Sequence, residues 1–168
     1  EETLDALSGS CWFSSLDLKS GYWQVPVAEE DKPKTAFTVG NLGFWQWERM
    51  PMGMKNSGAT FQRLMEQCVG DMQPKKCLVY LDDVIVHSRS FEEHLQNLHE
   101  VFERLNKFGL KLKPVKCHLF KRRLAYLGHV VSDKGVETDP EKTEALRSWP
   151  TPKDPKELMT YLGFVGYY

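Results

Sequence analysis

The sequence predicts an α+β fold: an antiparallel sheet packed on helices. Short apolar runs bounded by turn-forming residues alternate with longer stretches in which apolar residues recur every three or four positions. Neighbouring runs are joined by short breaks, so they pair antiparallel and leave the helices to one side. The order is strand, hairpin, helix, acidic hairpin, helix, strand and two helices. At 168 residues the chain is long enough for one domain, or a domain and part of another.

The first strand spans 11–18 and carries one acid, Asp17, near its end. Residues 28–34 are polar and helical or turn-like. Residues 36–39 and 44–47 form a hairpin across Gly40-Asn41-Leu42-Gly43. A loop over 50–56 leads to Ser57, a candidate N-cap. Phe61, Leu64, Met65, Cys68 and Val69 then line one helix face, and Gly70 closes the helix. Cys77-Leu78-Val79 and Val84-Ile85-Val86 flank Tyr80-Leu81-Asp82-Asp83, the acidic hairpin.

Ser90 and Glu93 make a capping box for a helix ending at Gly109, with Phe91, Leu95, Leu98, Phe102 and Leu105 on one face. His94 and His99 read as surface residues. Residues 124–131 read as one strand. Asp139-Pro140 and Asp154-Pro155 start two more helices, with Leu158, Leu162 and Val165 on one face of the last.

Composition excludes little beyond a membrane span, since no run of eighteen apolar residues occurs. The first sixteen residues hold no Lys or Arg, so a secretory n-region is missing. Cys11, Cys68, Cys77 and Cys117 fit no zinc spacing and read as reduced, mostly buried thiols of an intracellular protein. The chain lacks an initial Met and stops within an apolar pattern, so both ends are expected to be cut.

Chemistry is expected where the acids gather. A tight hairpin prefers Asn-Gly or Asp-Gly, whereas Asp82-Asp83 places two repelling carboxylates together. A broken local rule marks a functional site. The bland reading is a solvated acidic turn. If the first strand neighbours the hairpin, Asp17 joins the pair. Such a cluster resists ionisation unless cations neutralise it, and hard oxygen donors suit Mg²⁺.

The net charge of −1 hides an uneven distribution. From Arg104 to Ser132 there is no acid, while Arg104, Lys107, Lys111, Lys113, Lys116, Lys121, Arg122 and Arg123 are interleaved with Phe108, Phe120 and Tyr126. Such a stripe is either a solvated face or a contact for a phosphate backbone. Acid cluster, basic stripe and aromatics together point to a nucleic-acid polymerase or nuclease.

At this point the residues resemble a known family. Residues 13–24 (FSSLDLKSGYWQ) look like motif A of reverse transcriptases. Met50-Pro51-Met52-Gly53-Met54-Lys55-Asn56 with Ala59-Thr60-Phe61-Gln62 looks like motif B, and Tyr80-Leu81-Asp82-Asp83 like motif C. Lys113 to Cys117 is similar to motif D, and Tyr126 to His129 to the primer grip. The order and spacing, with Trp149-Pro150-Thr151-Pro152 and residues 158–168, resemble the Gypsy-type class of LTR retrotransposons.

The resemblance implies a polymerase palm with partial fingers and the start of a thumb or connection. Residues 1–25 would be the palm strand with motif A, 26–50 a partial fingers hairpin, 51–135 the rest of the palm, and 136–168 the first thumb or connection helices. Asp17, Asp82 and Asp83 would be the catalytic carboxylates. With the Leu18 carbonyl they would hold two Mg²⁺ ions, Mn²⁺ being an alternative. Tyr22 would lie under the deoxyribose, and Trp23, Met52 and Gly53 would complete the nucleotide site. Lys116 would protonate the leaving pyrophosphate. Leu127, Gly128 and His129 would hold the primer end. Lys107, Lys111, Lys113, Lys121, Arg122 and Arg123 would meet the nucleic-acid backbone.

The implied partners are an RNA or DNA template with its primer, deoxynucleoside triphosphates, and the remainder of a polyprotein with fingers upstream and RNase H downstream. The implied setting is the cytoplasm, in a virus-like particle, with no membrane contact. Met52 departs from the Phe usual in this class. No Lys or Arg precedes Lys19, so the family's triphosphate clamp is missing from the sequence. Three rivals stand beside this reading: an RNA-dependent RNA polymerase, disfavoured by the aromatic ring of Tyr22; a nuclease; and a relic that binds nucleic acid without catalysis.

Overall fold

Alternation along the central strands decides how the layers stack. Val84 and Val86 face one way and Ile85 the other, and all three are wholly buried, so both faces of the sheet are covered. The computed structural model describes residues 5–167. Residues 1–4 and Tyr168, parts of the first and last expected units, lie outside the described residues. The central sheet has the order β4-β5-β1-β6, formed by β1 (Trp12–Asp17), β4 (Cys77–Tyr80), β5 (Asp83–Ser88) and β6 (His118–Lys121). Every pairing in it is antiparallel.

Helices α1 (Ser57–Val69) and α2 (Phe91–Lys107) cover one face. Phe61, Met65, Cys68 and Val69 of α1 and Leu98, Val101 and Leu105 of α2 meet Leu16, Cys77, Val79, Val84 and Val86 there. Each such buried side chain contributes about 1.5–3 kcal/mol. The other face carries Phe13, Leu78 and Ile85, packed against Leu124, Tyr126 and Val131. Those three come from a second sheet, β7 (Arg123–Tyr126), β8 (His129–Ser132) and β9 (Gly135–Thr138). A short hairpin, β2 (Phe37–Thr38) and β3 (Phe44–Trp45), stands apart, its four residues exposed.

Several expectations change in detail. Residues 124–131 are not one strand, because Leu127 and Gly128 both have positive φ (49° and 76°) and fold the segment into a two-residue hairpin. Strand β9 was not anticipated. Ser57 is the first helical residue, not the cap, and its hydroxyl donates to the Pro51 carbonyl at 2.8 Å. Gly70 ends α1 without a left-handed turn, passing into a 3₁₀ turn over Gly70–Met72. Two of the four thiols, Cys68 and Cys77, are buried, and the other two are half-buried; all four are free.

Ser90 caps α2 as expected, Glu93 N–H donating to Ser90 Oγ at 3.1 Å, while the returning Glu93 carboxylate reaches one residue further, Oε2 accepting from Arg89 N–H at 2.9 Å. The last helices, α3 (Pro140–Arg147) and α4 (Pro155–Tyr167), start at their prolines. Asp154 Oδ1 caps α4 by accepting from Glu157 N–H at 2.8 Å. Leu158, Leu162 and Val165 are all exposed. No helix among the described residues is long and apolar enough to cross a membrane.

The largest correction concerns His94. The buried stripe of α2 is His94, Asn97, Leu98, Val101 and Leu105, not the face of Phe91, Leu95 and Phe102, which are exposed. His94 is 0% exposed. Its Nε2 lies 2.7 Å from Ser14 Oγ on β1 and its Nδ1 2.6 Å from Ser88 Oγ on β5. Ser14 Oγ also accepts from Phe120 N–H at 3.0 Å, so one imidazole ties α2 to three strands. His99 is on the surface as expected, 3.4 Å from Glu103.

Burial pushes the His94 imidazole down to about 4. The unfolded chain, with His near 6.5, binds the proton more readily. Stability from this group is therefore full above pH 6.5 and is lost as pH falls towards 4, by about 3 kcal/mol in all. Asp82 and Asp83, whose carboxyls burial holds above the usual range, contribute in the opposite sense. Urea unfolding of wild type and His94→Gln at pH 7 and pH 4.5 isolates the histidine. The wild type is expected to lose more stability across that interval than the variant; equal losses would contradict the assignment.

Candidate active site

The site starts from a register. In the β1–β5 pairing Asp17 lies directly opposite Asp83, and Tyr80 opposes Asp83 from the other side. Asp17 shares alternation with Phe13, and Asp83 with Ile85, so both carboxylates stand on the sheet face away from the helices. The hairpin loop consists of Leu81 and Asp82 alone, so Asp83 opens β5 rather than sitting at the tip. Leu81 has φ of 53°, a left-handed conformation that normally calls for glycine.

Other non-glycine residues with positive φ are Ser20 (51°), Phe120 (54°) and Leu127 (49°). Ser20 precedes the 3₁₀ turn Gly21–Gln24, Phe120 lies in β6, and Leu127 in the β7–β8 turn. Backbone strain of this kind collects where a fold holds side chains for function.

A cleft of about 300 Å³ opens beside the pair, lined by Ser15, Leu16, Asp17, Asp83, Val115, Lys116 and His118. Lys116 Nζ stands 3.5 Å from Asp17 Oδ2. Tyr126 also reaches this strand, its hydroxyl donating to the Asp83 carbonyl at 3.5 Å. Through that contact the β7–β8 turn, with Leu127, Gly128 and His129, is tied to the acidic strand. His129 Nδ1 donates to Leu127 O at 3.1 Å.

Asp82 behaves differently. Its Oδ1 is buried without a hydrogen-bond partner and lies against Gly21. A Cβ on Gly21 would collide with that oxygen and would stand 2.9 Å from Phe61 Cζ. Burial pushes the Asp82 carboxyl above the usual range, and the charges of Asp83 and Asp17 add to the shift. Asp83 is raised by burial and by Asp17, with Lys116 pulling the other way.

Three carboxylates with oxygen donors only are chemically suited to a hard divalent cation. Asp17 and Asp83 are already side by side, whereas Asp82 is turned to Gly21. Among the described residues no group of three His, Cys, Asp or Glu side chains is drawn together tightly enough to hold a metal ion. The orphaned Asp82 oxygen, and carboxyls at Asp82 and Asp83 held above the usual range by burial and by neighbouring carboxylates, fit a site suited to a cation.

Tyr22 packs edge-on against Phe61, with ring centroids 5.3 Å apart. Trp23 is 54% exposed and lies against Trp47 (5.9 Å), which stacks on Phe37 (5.4 Å). Met52 is 68% exposed in the loop before α1, and Gly53 follows with φ of 88°.

The basic residues spread over several elements. Lys107 ends α2, Lys111 and Lys113 lie on the following loop, and Lys121 ends β6, all exposed. Arg122 covers the Trp12 ring at 4.8 Å, Arg123 pairs with Glu137 at 3.0 Å, and Arg104 with Asp71 at 2.6 Å. The last two are thus partly neutralised, which the sequence stripe did not show.

Two features escaped sequence reasoning. Gln24 closes the motif over 13–24 with no role implied for it, yet its carboxamide joins two backbone segments of the site. Tyr126 supports Asp83 from a separate sheet. Polar Ser14 and Ser88 amid apolar strands were the available signal for a buried partner such as His94.

Comparison with known proteins places this geometry. The family described as reverse transcriptase (RNA-dependent DNA polymerase) matches residues 1–131. The chain belongs to that reverse transcriptase family. It is 40% identical over 168 residues to the retrovirus-related Pol polyprotein from transposon 297 of Drosophila melanogaster, covering 100% of this chain and 16% of that protein. The Pol polyprotein from transposon gypsy of the same fly is 36% identical over 157 residues, or 94% of this chain and 15% of the relative.

Among solved structures, a foamy viral protease-reverse transcriptase in complex with double-stranded DNA superposes with a TM-score of 0.88 at 26% identity, over 98% of this chain and 29% of that one. The same viral enzyme with an RNA/DNA hybrid gives 0.85 at 27%, over 98% and 22%. The reverse transcriptase fold is thereby shown, and the chain spans a minor part of each relative.

Gly21 provides the tightest local test of the site. Gly21→Ala is expected to cost about 1–3 kcal/mol in urea unfolding, as overpacking does. Loss of less than about 0.5 kcal/mol, the range of a neutral surface change, would mean that Asp82 moves aside freely.

Proposed function

We propose that the chain carries the nucleotidyl-transfer centre of an RNA-directed DNA polymerase. The observation that supports this best is the register of Asp17 on Asp83 with Lys116 at 3.5 Å, in a chain of the reverse transcriptase family. The reaction is templated addition of a deoxynucleotide to a primer 3′-hydroxyl. The 3′-oxygen attacks the α-phosphorus, and the bond to pyrophosphate breaks.

Asp17, Asp82 and Asp83, with the Leu18 carbonyl, are the groups that would hold two Mg²⁺ ions, or Mn²⁺ in their place. When bound there, such ions would neutralise the carboxylates and supply the charge stabilisation that phosphoryl transfer needs. Asp17 and Asp83, paired in register, would fix where such ions are held beside the cleft. Lys116, an ammonium on the rim of the cleft, offers a proton to the departing pyrophosphate. Tyr22, held edge-on by Phe61, forms the floor beneath the sugar, with Met52, Gly53 and Trp23 around the base and template. Leu127, Gly128 and His129 hold the primer end, anchored through Tyr126 to Asp83.

Lys107, Lys111, Lys113, Lys121 and Arg122 present cations to the backbone of the duplex, and Arg123 joins them if it releases Glu137. The double-stranded DNA and RNA/DNA hybrid bound by the foamy viral enzymes support a primer–template as partner. The polyproteins to which the chain is similar support a setting within a longer polypeptide. The intracellular location belongs to the same reading.

Primer extension with Mg²⁺, using the intact protein that carries this chain, tests the proposal. Asp82→Asn is expected to lower extension about a hundredfold or more, because loss of metal-assisted stabilisation is worth several kcal/mol. Its circular dichroism spectrum is expected to stay that of the wild type. Near-normal extension by the variant, or none by the wild type, would overturn the reading.

A further inference from the structure

We propose that Gln24 is a positioning residue that sets where Lys116 stands relative to Asp17, a role that rests on the polymerase reading above. Two backbone segments must meet for those charges to be 3.5 Å apart. One leaves β1 at Asp17 and runs into the Gly21–Gln24 turn. The other leaves α2, crosses positions 108–113 without regular structure and makes a short 3₁₀ turn at Pro114–Lys116.

Their direct backbone links are few: Lys19 N–H to Lys111 O at 2.9 Å, Lys113 N–H to Asp17 O at 2.8 Å, and the bridge of Leu18 to Leu112. Gln24 supplies the rest. Its Nε2 donates to Lys19 O at 2.8 Å and to Lys111 O at 2.9 Å, and its Oε1 accepts from Lys111 N–H at 2.7 Å. Both amide protons and the carbonyl oxygen are used, so the side chain acts as one more strand residue between the two segments.

The backbone of Gln24 is held in turn. Arg49 Nη1 donates to Gln24 O at 3.0 Å, and Met50 N–H donates to Val25 O at 2.9 Å. Gln24 thus sits where three segments cross: the one bearing Asp17, the one bearing Lys116, and the one leading to the loop of Met52. No shorter or differently charged side chain reproduces the pattern. Asn is one methylene short. Glu keeps the acceptor for Lys111 N–H but sets a carboxylate against two carbonyl oxygens. Gln24 touches no reacting atom; it acts by fixing the start of the segment whose end carries Lys116.

Two measurements on the intact protein test this. The first is deuterium exchange of the Lys111 and Lys113 amides in wild type, Gln24→Ala and Gln24→Glu. Exchange is expected to speed at least tenfold at both amides in Gln24→Ala, while α2 and the β4–β5 hairpin keep wild-type rates. Gln24→Glu, which retains the acceptor, is expected to spare Lys111 more than Lys113. Unchanged exchange at both amides, or acceleration throughout the molecule, would overturn the clamp.

The second is single-nucleotide incorporation by Gln24→Ala, Lys116→Ala and the double variant. Gln24→Ala is expected to lower kcat about tenfold with little change in KM, a displaced but present group being costly. The double variant is expected to be no slower than Lys116→Ala, since Gln24 acts through that lysine. Additive losses would overturn the role. If the wild type extends no primer, the polymerase reading falls by itself, and the exchange rates alone decide whether Gln24 clamps the segment.

Discussion

The site depends on one antiparallel register that sets Asp17 opposite Asp83. Directly opposed side chains in an antiparallel pair are about 5 Å apart at Cβ. Two ionised carboxylates at that distance repel by roughly 1–3 kcal/mol, depending on how much water screens them. A one-residue slip would relieve the repulsion, but it would also turn Val84, Val86 and Leu16 out of the core. The hydrophobic pattern therefore enforces an electrostatic arrangement that the carboxylates themselves disfavour. Lys116 offsets part of the repulsion.

The surroundings make the same trade on a smaller scale. Leu81 occupies a backbone conformation suited to glycine, and Gly21 gives up a side chain so that Asp82 can lie against it. Asp82 gains no hydrogen bond at Oδ1 there. On the opposite face of the sheet, His94 gathers Ser14, Ser88 and, through Ser14, the Phe120 amide into one satisfied network. Rigidity built in under the sheet supports unfavourable charge placed on top of it.

Much of this was legible in the residues. The apolar runs around Tyr80-Leu81-Asp82-Asp83, the stripe of α1, the Ser90 cap of α2 and the two Asp-Pro helix starts each follow from local chemistry, and each is present. Most of the failures share a cause, tertiary context, and one is a local turn. His94 looks like any polar helix residue until Ser14 and Ser88, distant in sequence, turn out to share its surroundings. Residues 124–131 read as a single strand because Leu127 is an unlikely occupant of a left-handed turn position. The division of the basic stripe into free cations and cations held by Asp71, Glu137 and Trp12 depends on partners that spacing cannot show. The bonds of Gln24 span 87 residues to Lys111, beyond the reach of any local pattern.

On the polymerase reading, a divalent cation would relieve the carboxylate repulsion that the register holds in the fold. Thermal unfolding during a Mg²⁺ titration tests it most directly, because a ligand that binds only the folded state raises the midpoint as its concentration rises. The wild type is expected to show a rise in Tm that saturates with Mg²⁺ and is lost in Asp17→Asn, whose metal-free Tm equals or exceeds that of the wild type. A Tm indifferent to Mg²⁺, or the same rise in both proteins, would contradict it.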